Sequence, residues 1–339
     1  MTARALTRRL ALAHTPTPLV CPHGVLEALG LGSRGIDLWV KRDDETGGAE
    51  AGNKIRKLEY LLAEAKRQGA DTLVTCGGIQ SNHARATAIV GRSLGMSAHL
   101  LLRTTEPEAP LPNVGNVFLD RMVGATVRAI TPAQYRERGA LMTEVAMELT
   151  RAGRAPYVIP EGGSNGLGAL GYVRAMEEVR KQLDLGLGGG APFDLIFHAC
   201  GSGGTAAGVA LGAAEYEVAA EVRALAVCDD RAYFEAAIAR IVEEARALAP
   251  ELTGLAKLVV DDGAKGPAYA VASSEQKKLI VTIARASGLM LDPVYTGKAF
   301  FGLVQAAERG ELDRKRVLFL HTGGLPGLLA QSSDMLEAL

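Results

Sequence analysis

Two hydrophobic periods alternate along the chain. Short apolar runs of strand length recur over residues 36–41, 71–75, 98–102, 126–130, 157–160, 194–199, 222–227 and 317–321. Helical spacing fills most of the intervals, over 113–123, 132–152, 167–183, 206–214, 231–248 and 274–287. After residue 54, Ile55, Leu58, Leu61, Leu62 and Ala65 also share one helical face, and Gly69 supplies a stop signal. Regular alternation of strand and helix predicts parallel α/β sheets flanked by helices, not a helical bundle or a sandwich. The stretch 186–190 has four glycines in five positions and reads as a linker.

Length and charge narrow the class. At 339 residues the chain exceeds one usual domain, so two lobes are expected. A net charge of −1 with mixed signs gives no electrostatic footprint for nucleic acid. The apolar runs break well before a membrane span, and the N-terminus has no signal-peptide core. Residues 1–9 carry three arginines and no acid, which reads as a short surface extension of a cytoplasmic protein. The four cysteines are widely spaced, with no Cys-x-x-Cys pair, and the six histidines show no His-x-x-x-His spacing. Neither a disulfide framework nor a metal site is expected.

Three segments carry candidate chemistry. Lys54 opens a helix behind an extended segment, where a lysine can enter a cleft and burial makes its free amine available. Taken alone, that segment reads more simply as a solvated lysine beside Arg56 and Lys57. Gly77-Gly78-Ile79-Gln80-Ser81-Asn82-His83 joins a strand to a helix, and free N–H groups at such a start suit a carboxylate or phosphate. A capped glycine turn accounts for the same residues. Gly201-Ser202-Gly203-Gly204-Thr205 follows another strand and again opens a small-residue helix. Its glycines let the backbone wrap an oxyanion, and its hydroxyls add donors.

In this order and spacing, the segments resemble the fold-type II pyridoxal-phosphate enzymes, which are tryptophan synthase β-like in architecture. The branch is that of D-cysteine desulfhydrase and 1-aminocyclopropane-1-carboxylate deaminase. Lys41-Arg42-Asp43-Asp44, Gly52 through Tyr60, Leu291-Asp292-Pro293-Val294-Tyr295-Thr296-Gly297-Lys298 and His321-Thr322-Gly323-Gly324 extend the likeness from about residue 18 to 328. The resemblance implies a discontinuous large domain, 1–55 with 173–339, a small domain over 56–172, and a homodimer. The cofactor is expected between the domains, at the carboxyl ends of strands.

The same resemblance distributes roles. Lys54 carries the cofactor aldehyde and serves as the base at Cα. Gly201, Ser202, Gly203, Gly204 and Thr205 hold the phosphate. Asn82 bonds the ring hydroxyl oxygen. Ser81, with the N–H groups of Asn82 and His83, receives the substrate carboxylate, and a serine here is also discussed as a proton-transfer group. Tyr295 and Tyr269 are the catalytic phenols, although glycines are more usual around the second tyrosine. Thr296 or Thr322, preferably Thr322, meets the pyridine nitrogen. The cyclopropane deaminases have glutamate at position 296, which keeps that nitrogen protonated and strengthens the electron sink. Neutral threonine favours β-elimination. The expected activity is release of sulfide from D-cysteine, with pyruvate and ammonia as the other products. Elimination of another β-substituent, as in cysteate, and cyclopropane deamination are the alternatives. From a different class, a non-catalytic protein could use the glycine loops as anion cradles.

Overall fold

The computed structural model describes residues 8–339. The expected N-terminal surface extension therefore lies mostly outside the described residues; Arg9, within them, pairs with Glu59 at 2.8 Å.

Among the described residues ten strands form two sheets. β1 (Leu19–Val20), β2 (Asp37–Lys41), β7 (Phe193–Cys200), β8 (Ala219–Ala226), β9 (Lys257–Asp261) and β10 (Arg316–Leu320) make a six-stranded sheet in the order β1-β2-β10-β7-β8-β9. Only β1 runs antiparallel within it. β3 (Thr72–Gly78), β4 (Ser97–Arg103), β5 (Thr126–Ile130) and β6 (Pro156–Val158) make an all-parallel sheet in the order β5-β4-β3-β6. Every residue of β3 is buried, as expected of a central strand covered by helices on both faces.

Five helices position the site: α1 (Asn53–Arg67), α2 (Asn82–Ser93), α3 (Gly166–Asp184), α4 (Gly204–Glu215) and α5 (Thr296–Glu308). Both expected domain boundaries, 55/56 and 172/173, fall inside continuous helices, α1 and α3. α4 packs tightly on α3 because it is built of small residues. A Cβ at Gly208 would lie 2.2 Å from the Ala169 carbonyl oxygen, so only glycine permits that approach.

Two sequence expectations change. The helix expected over 132–152 is broken at Glu137 into Pro132–Arg136 and Arg138–Arg151. The first piece is closed by a capping box between Thr131 and Gln134. The glycine stretch 186–190, expected to favour neither helix nor strand, joins α3 to β7 as a compact turn with a 3-10 segment over Leu187–Gly190. Its four glycines all have positive φ, and the Arg316 guanidinium donates to the Gly188 carbonyl.

Candidate active site

Four connections leave the carboxyl ends of their strands and converge. β3 delivers Gly77, Gly78 and the α2 start; β6 delivers Glu161 and Gly162; β7 delivers Gly201 to Gly203; β10 delivers Thr322 and Gly323. All line one cleft with Lys54. This is where open α/β sheets place ligands.

Lys54 is the second residue of α1, and its helix start is tied down. Asn53 donates its backbone N–H to the Thr322 carbonyl at 3.0 Å and its side-chain amide to Thr205 Oγ1 at 3.1 Å. Arg56, one turn inside, is fully buried and paired with Asp43 at 2.7 Å and Glu178 at 2.9 Å. Lys41 joins the same cluster through Glu178, and Tyr172 donates to Asp43. The Lys41–Asp44 motif thus locks the base of the Lys54 helix. Burial lowers the Lys54 amine to about 8, against an opposing pull from the Glu161 carboxylate.

Lys57 departs furthest from the simple solvated reading. It is buried, with its amine 3.2 Å from both the Gly162 carbonyl and Ser164 Oγ. No acid pairs with it among the described residues. Burial first, then the neighbouring Lys54, holds it well below the usual lysine range. Ser164 Oγ also lies 2.8 Å from Ser202 Oγ and accepts from the Gly204 N–H at 3.2 Å. Lys57 therefore stands directly behind the loop Gly201–Thr205, where an anion would supply its missing partner. Within that loop Gly203 has φ 85°, and Gly204 gives its N–H to Ser164 instead of lining the cleft.

On the opposite wall Ser81 caps α2, accepting from the Ala84 N–H at 3.1 Å. Its own proton remains to be donated. The N–H groups of Asn82 and His83 belong to the first turn, which has no acceptors within the helix. The Asn116 side-chain amide donates to Asn82 Oδ1 at 3.1 Å and to the Gln80 carbonyl at 2.9 Å. That contact fixes the Asn82 amide so that its own N–H groups are left for the cleft. The His83 side chain is committed differently. Thr75 Oγ1 gives its proton to the Ile159 carbonyl at 2.8 Å, so it accepts from His83 Nε2 at 2.9 Å. Burial, with Lys54 and Lys57 nearby, keeps this histidine neutral.

Tyr295 and Tyr269 face each other with hydroxyls 2.7 Å apart and rings at 74°. Tyr295 leans on Gly201 and Tyr269 on Gly78, so the pair spans the two glycine loops. Burial raises both phenols, Tyr269 to about 12. The two threonines separate. Thr322 lines the cleft. Thr296 is fully buried, donating its hydroxyl to Asp292 Oδ1 at 2.7 Å and accepting from the Asp292 N–H at 2.8 Å, and it does not line the cleft. Its side chain closes the α5 start, which differs from the cofactor contact considered from sequence. Among the described residues no group of histidine, cysteine and carboxylate side chains could hold a metal, and all four cysteines are free.

Comparison with known proteins identifies the family. The family model described as "Pyridoxal-phosphate dependent enzyme" matches residues 10–323. The chain belongs to that family. It is 41% identical over 331 residues to the bifunctional D-cysteine desulfhydrase/1-aminocyclopropane-1-carboxylate deaminase, mitochondrial, of Arabidopsis thaliana, covering 96% of this chain and 80% of the relative. It is 38% identical over 327 residues to a D-cysteine desulfhydrase of Yersinia pestis, covering 95% of each. A crystal structure of an ACC deaminase homologue superimposes with a TM-score of 0.86 at 36% identity, covering 98% of this chain and 96% of that one.

The chain is thus an α/β pyridoxal-phosphate-dependent enzyme of fold type II. Its residues fit the cofactor: a buried lysine without an acid partner, a glycine cradle in front of it, and a depressed amine facing both. When bound, pyridoxal phosphate supplies the electron sink that stabilises a carbanion at Cα.

Proposed function

We propose that this enzyme is a carbon–sulfur lyase that releases sulfide from D-cysteine, leaving pyruvate and ammonia. The observation that carries the reading is the absence of a free carboxylate beside Thr322. Among the described lining residues Glu161 is the single acid, and it is engaged by Tyr135 at 2.5 Å and Arg138 at 2.9 Å. A neutral hydroxyl at the ring nitrogen suits departure of a thiolate, which needs less from the electron sink than ring opening does. In this proposal Lys54 takes the Cα proton. Ser81 and the Asn82 and His83 N–H groups hold the substrate carboxylate, and the tyrosine pair moves a proton at the departing group. Lys57 and the loop Gly201–Thr205 hold the phosphate, Asn82 the ring oxygen, and Thr322 the ring nitrogen. The names of the relatives support the lyase and cyclopropane-deaminase readings alike.

The proposal includes a cytoplasmic homodimer. It also keeps the division into 1–55 with 173–339 and 56–172, the units joined through α1 and α3. Among the described residues no helix is long and apolar enough to cross a membrane.

The test is incubation of the purified holoenzyme with D-cysteine, L-cysteine, cysteate and 1-aminocyclopropane-1-carboxylate. Sulfide, sulfite, pyruvate and 2-oxobutyrate are assayed separately. Sulfide from D-cysteine as the fastest product supports the lyase; 2-oxobutyrate as the dominant product replaces it with the deaminase.

A further inference from the structure

Behind the tyrosine pair lies a positive charge that no acid pairs with among the described residues. Arg103 ends β4 and is half-buried. Its guanidinium carbon lies 5.0 Å from the Tyr269 ring centroid and 4.7 Å from that of Tyr135. Among the described residues it has no hydrogen-bond or ion-pair partner. Three other arginines of the same region are committed: Arg138 to Glu161, Arg42 to Asp44 and Glu45, Arg56 to Asp43 and Glu178. Two ring faces hold the Arg103 fork in place, so less rotamer freedom is lost when it meets a ligand.

The charge opens onto space that adjoins the site across Gly78 and Tyr269. A cavity of about 420 Å³ is lined by Arg103, Thr104, Gln80 and Gln331, together with Gly78 and Tyr269. The last two also line the catalytic cleft. No acid lines this cavity among the described residues. In the proposed function the tyrosine pair meets the departing group, and Arg103 lies against the Tyr269 ring.

We propose that Arg103 and this cavity form a subsite for an anionic group on the β-substituent. The substrate class then includes β-substituted alanines whose leaving group carries its own negative charge, a sulfonate or an S-linked carboxylate. The inference rests on the lyase reading above. The bond changes are those of elimination: the Cα proton goes to Lys54, and the Cβ–S bond breaks with its electron pair leaving on sulfur. A sulfonate leaves as sulfite and an S-linked carboxylate as its thiolate. Water is the sole co-reactant, consumed as the three-carbon fragment becomes pyruvate and ammonium, with no oxidant or reductant required.

The experiment compares holoenzyme with Arg103→Gln and Arg103→Lys variants. kcat/KM is measured for D-cysteine, for cysteate and for S-carboxymethylcysteine. Binding of homocysteate, one methylene longer than cysteate, is followed by calorimetry. Arg103→Gln is expected to lower the anionic-to-neutral specificity ratio and the homocysteate affinity roughly tenfold or more, the worth of one charge-assisted contact. Arg103→Lys should restore part of both. An unchanged ratio with unchanged affinity, or equal losses on neutral and anionic substrates, overturns the subsite and leaves Arg103 as a support for Tyr269. Loss of homocysteate binding in a protein that cleaves none of the three sinks the lyase reading while the subsite stands. Brisk D-cysteine cleavage with an unchanged ratio sinks the subsite alone.

Discussion

The hydroxyls of Tyr269 and Tyr295 lie 2.7 Å apart, although the residues come from a loop and from the start of α5, 26 positions apart in sequence. One proton is shared between two phenols whose ionisation burial makes costly. In the proposed function the pair would therefore act as a neutral donor toward the departing group, not as a standing base. Tyr295→Phe and Tyr269→Phe are each expected to lower kcat, by about 10²-fold or more for the residue that touches the leaving group. The double variant should lose little more than the worse single one, because either change breaks the shared proton. Full additivity in steady-state rates would show two independent roles.

Lys54 predicts a pH dependence in the cofactor-free protein. Its amine titrates at about 8 because burial disfavours the ammonium form. Above that pH the free amine predominates; below it the reactive fraction falls roughly tenfold per pH unit. The rate at which added pyridoxal phosphate develops its visible protein-bound absorbance should follow that titration. Lys54→Ala should develop none while keeping its circular dichroism. A rate flat between pH 6 and 9 would mean that another step or another amine governs loading.

Lys57 couples stability to cofactor in opposite directions. Its charge is buried without an acid, so Lys57→Met should stabilise the cofactor-free fold, by ~1 kcal/mol in urea titration. The sign follows from a folded pKa held below the unfolded one. The penalty is full below the folded value and fades as pH rises from there to the unfolded lysine value, so the gain should shrink toward alkaline pH. The same variant should weaken binding of pyridoxal phosphate by roughly ten- to a hundredfold, and that of phosphate-free pyridoxal far less. Equal losses for the two ligands would remove Lys57 from the phosphate side.

What could be read from the chain, and what could not, follows the range of each interaction. The glycine loops before α2 and α4 are local strand-to-helix signals, visible in a few consecutive residues. Lys54 stands out only beside those loops, because its own helix-mouth segment reads more simply as solvated. Lys57 carries a weaker signal, lying three residues on and hence on the same helix face. Ser164, Asn116 and Arg103 have no such signal, because their partners Ser202, Asn82 and Tyr269 come from remote segments. Glu137 breaks its helix where the apolar period continues, so periodicity could not show it. The edge strand β9 was passed over because a short, half-exposed run carries little apolar pattern.

Lys298 tethers the loop that carries Tyr269. Its buried amine donates to the carbonyls of Lys265 and Ala268, each at 2.7 Å. Lys298→Met keeps the packing volume and removes the tether. The expected result is a fall in kcat with cofactor affinity maintained, since the phosphate loop and Lys54 are untouched. Faster proteolysis within 262–272 should accompany it. Unaltered kcat would show that packing of Tyr269 on Gly78 holds the ring without help.

The two threonines can be separated by the same chemical change at each. Thr296→Val removes a hydroxyl that both donates to and accepts from Asp292, inside the core. It should cost about 2–4 kcal/mol of stability, two hydrogen bonds' worth with one partner a buried carboxyl. The spectrum of the bound cofactor should stay as it was. Thr322→Val removes a hydroxyl that faces the cleft and has no side-chain partner in the chain among the described residues. Stability should move little, while the visible band and the sulfide release rate both shift, because the ring nitrogen loses its neighbour. Chemical denaturation and absorption spectra of the two variants, read side by side, make the distinction. A spectral change in Thr296→Val at unchanged stability would reverse the assignment and put Thr296 against the cofactor.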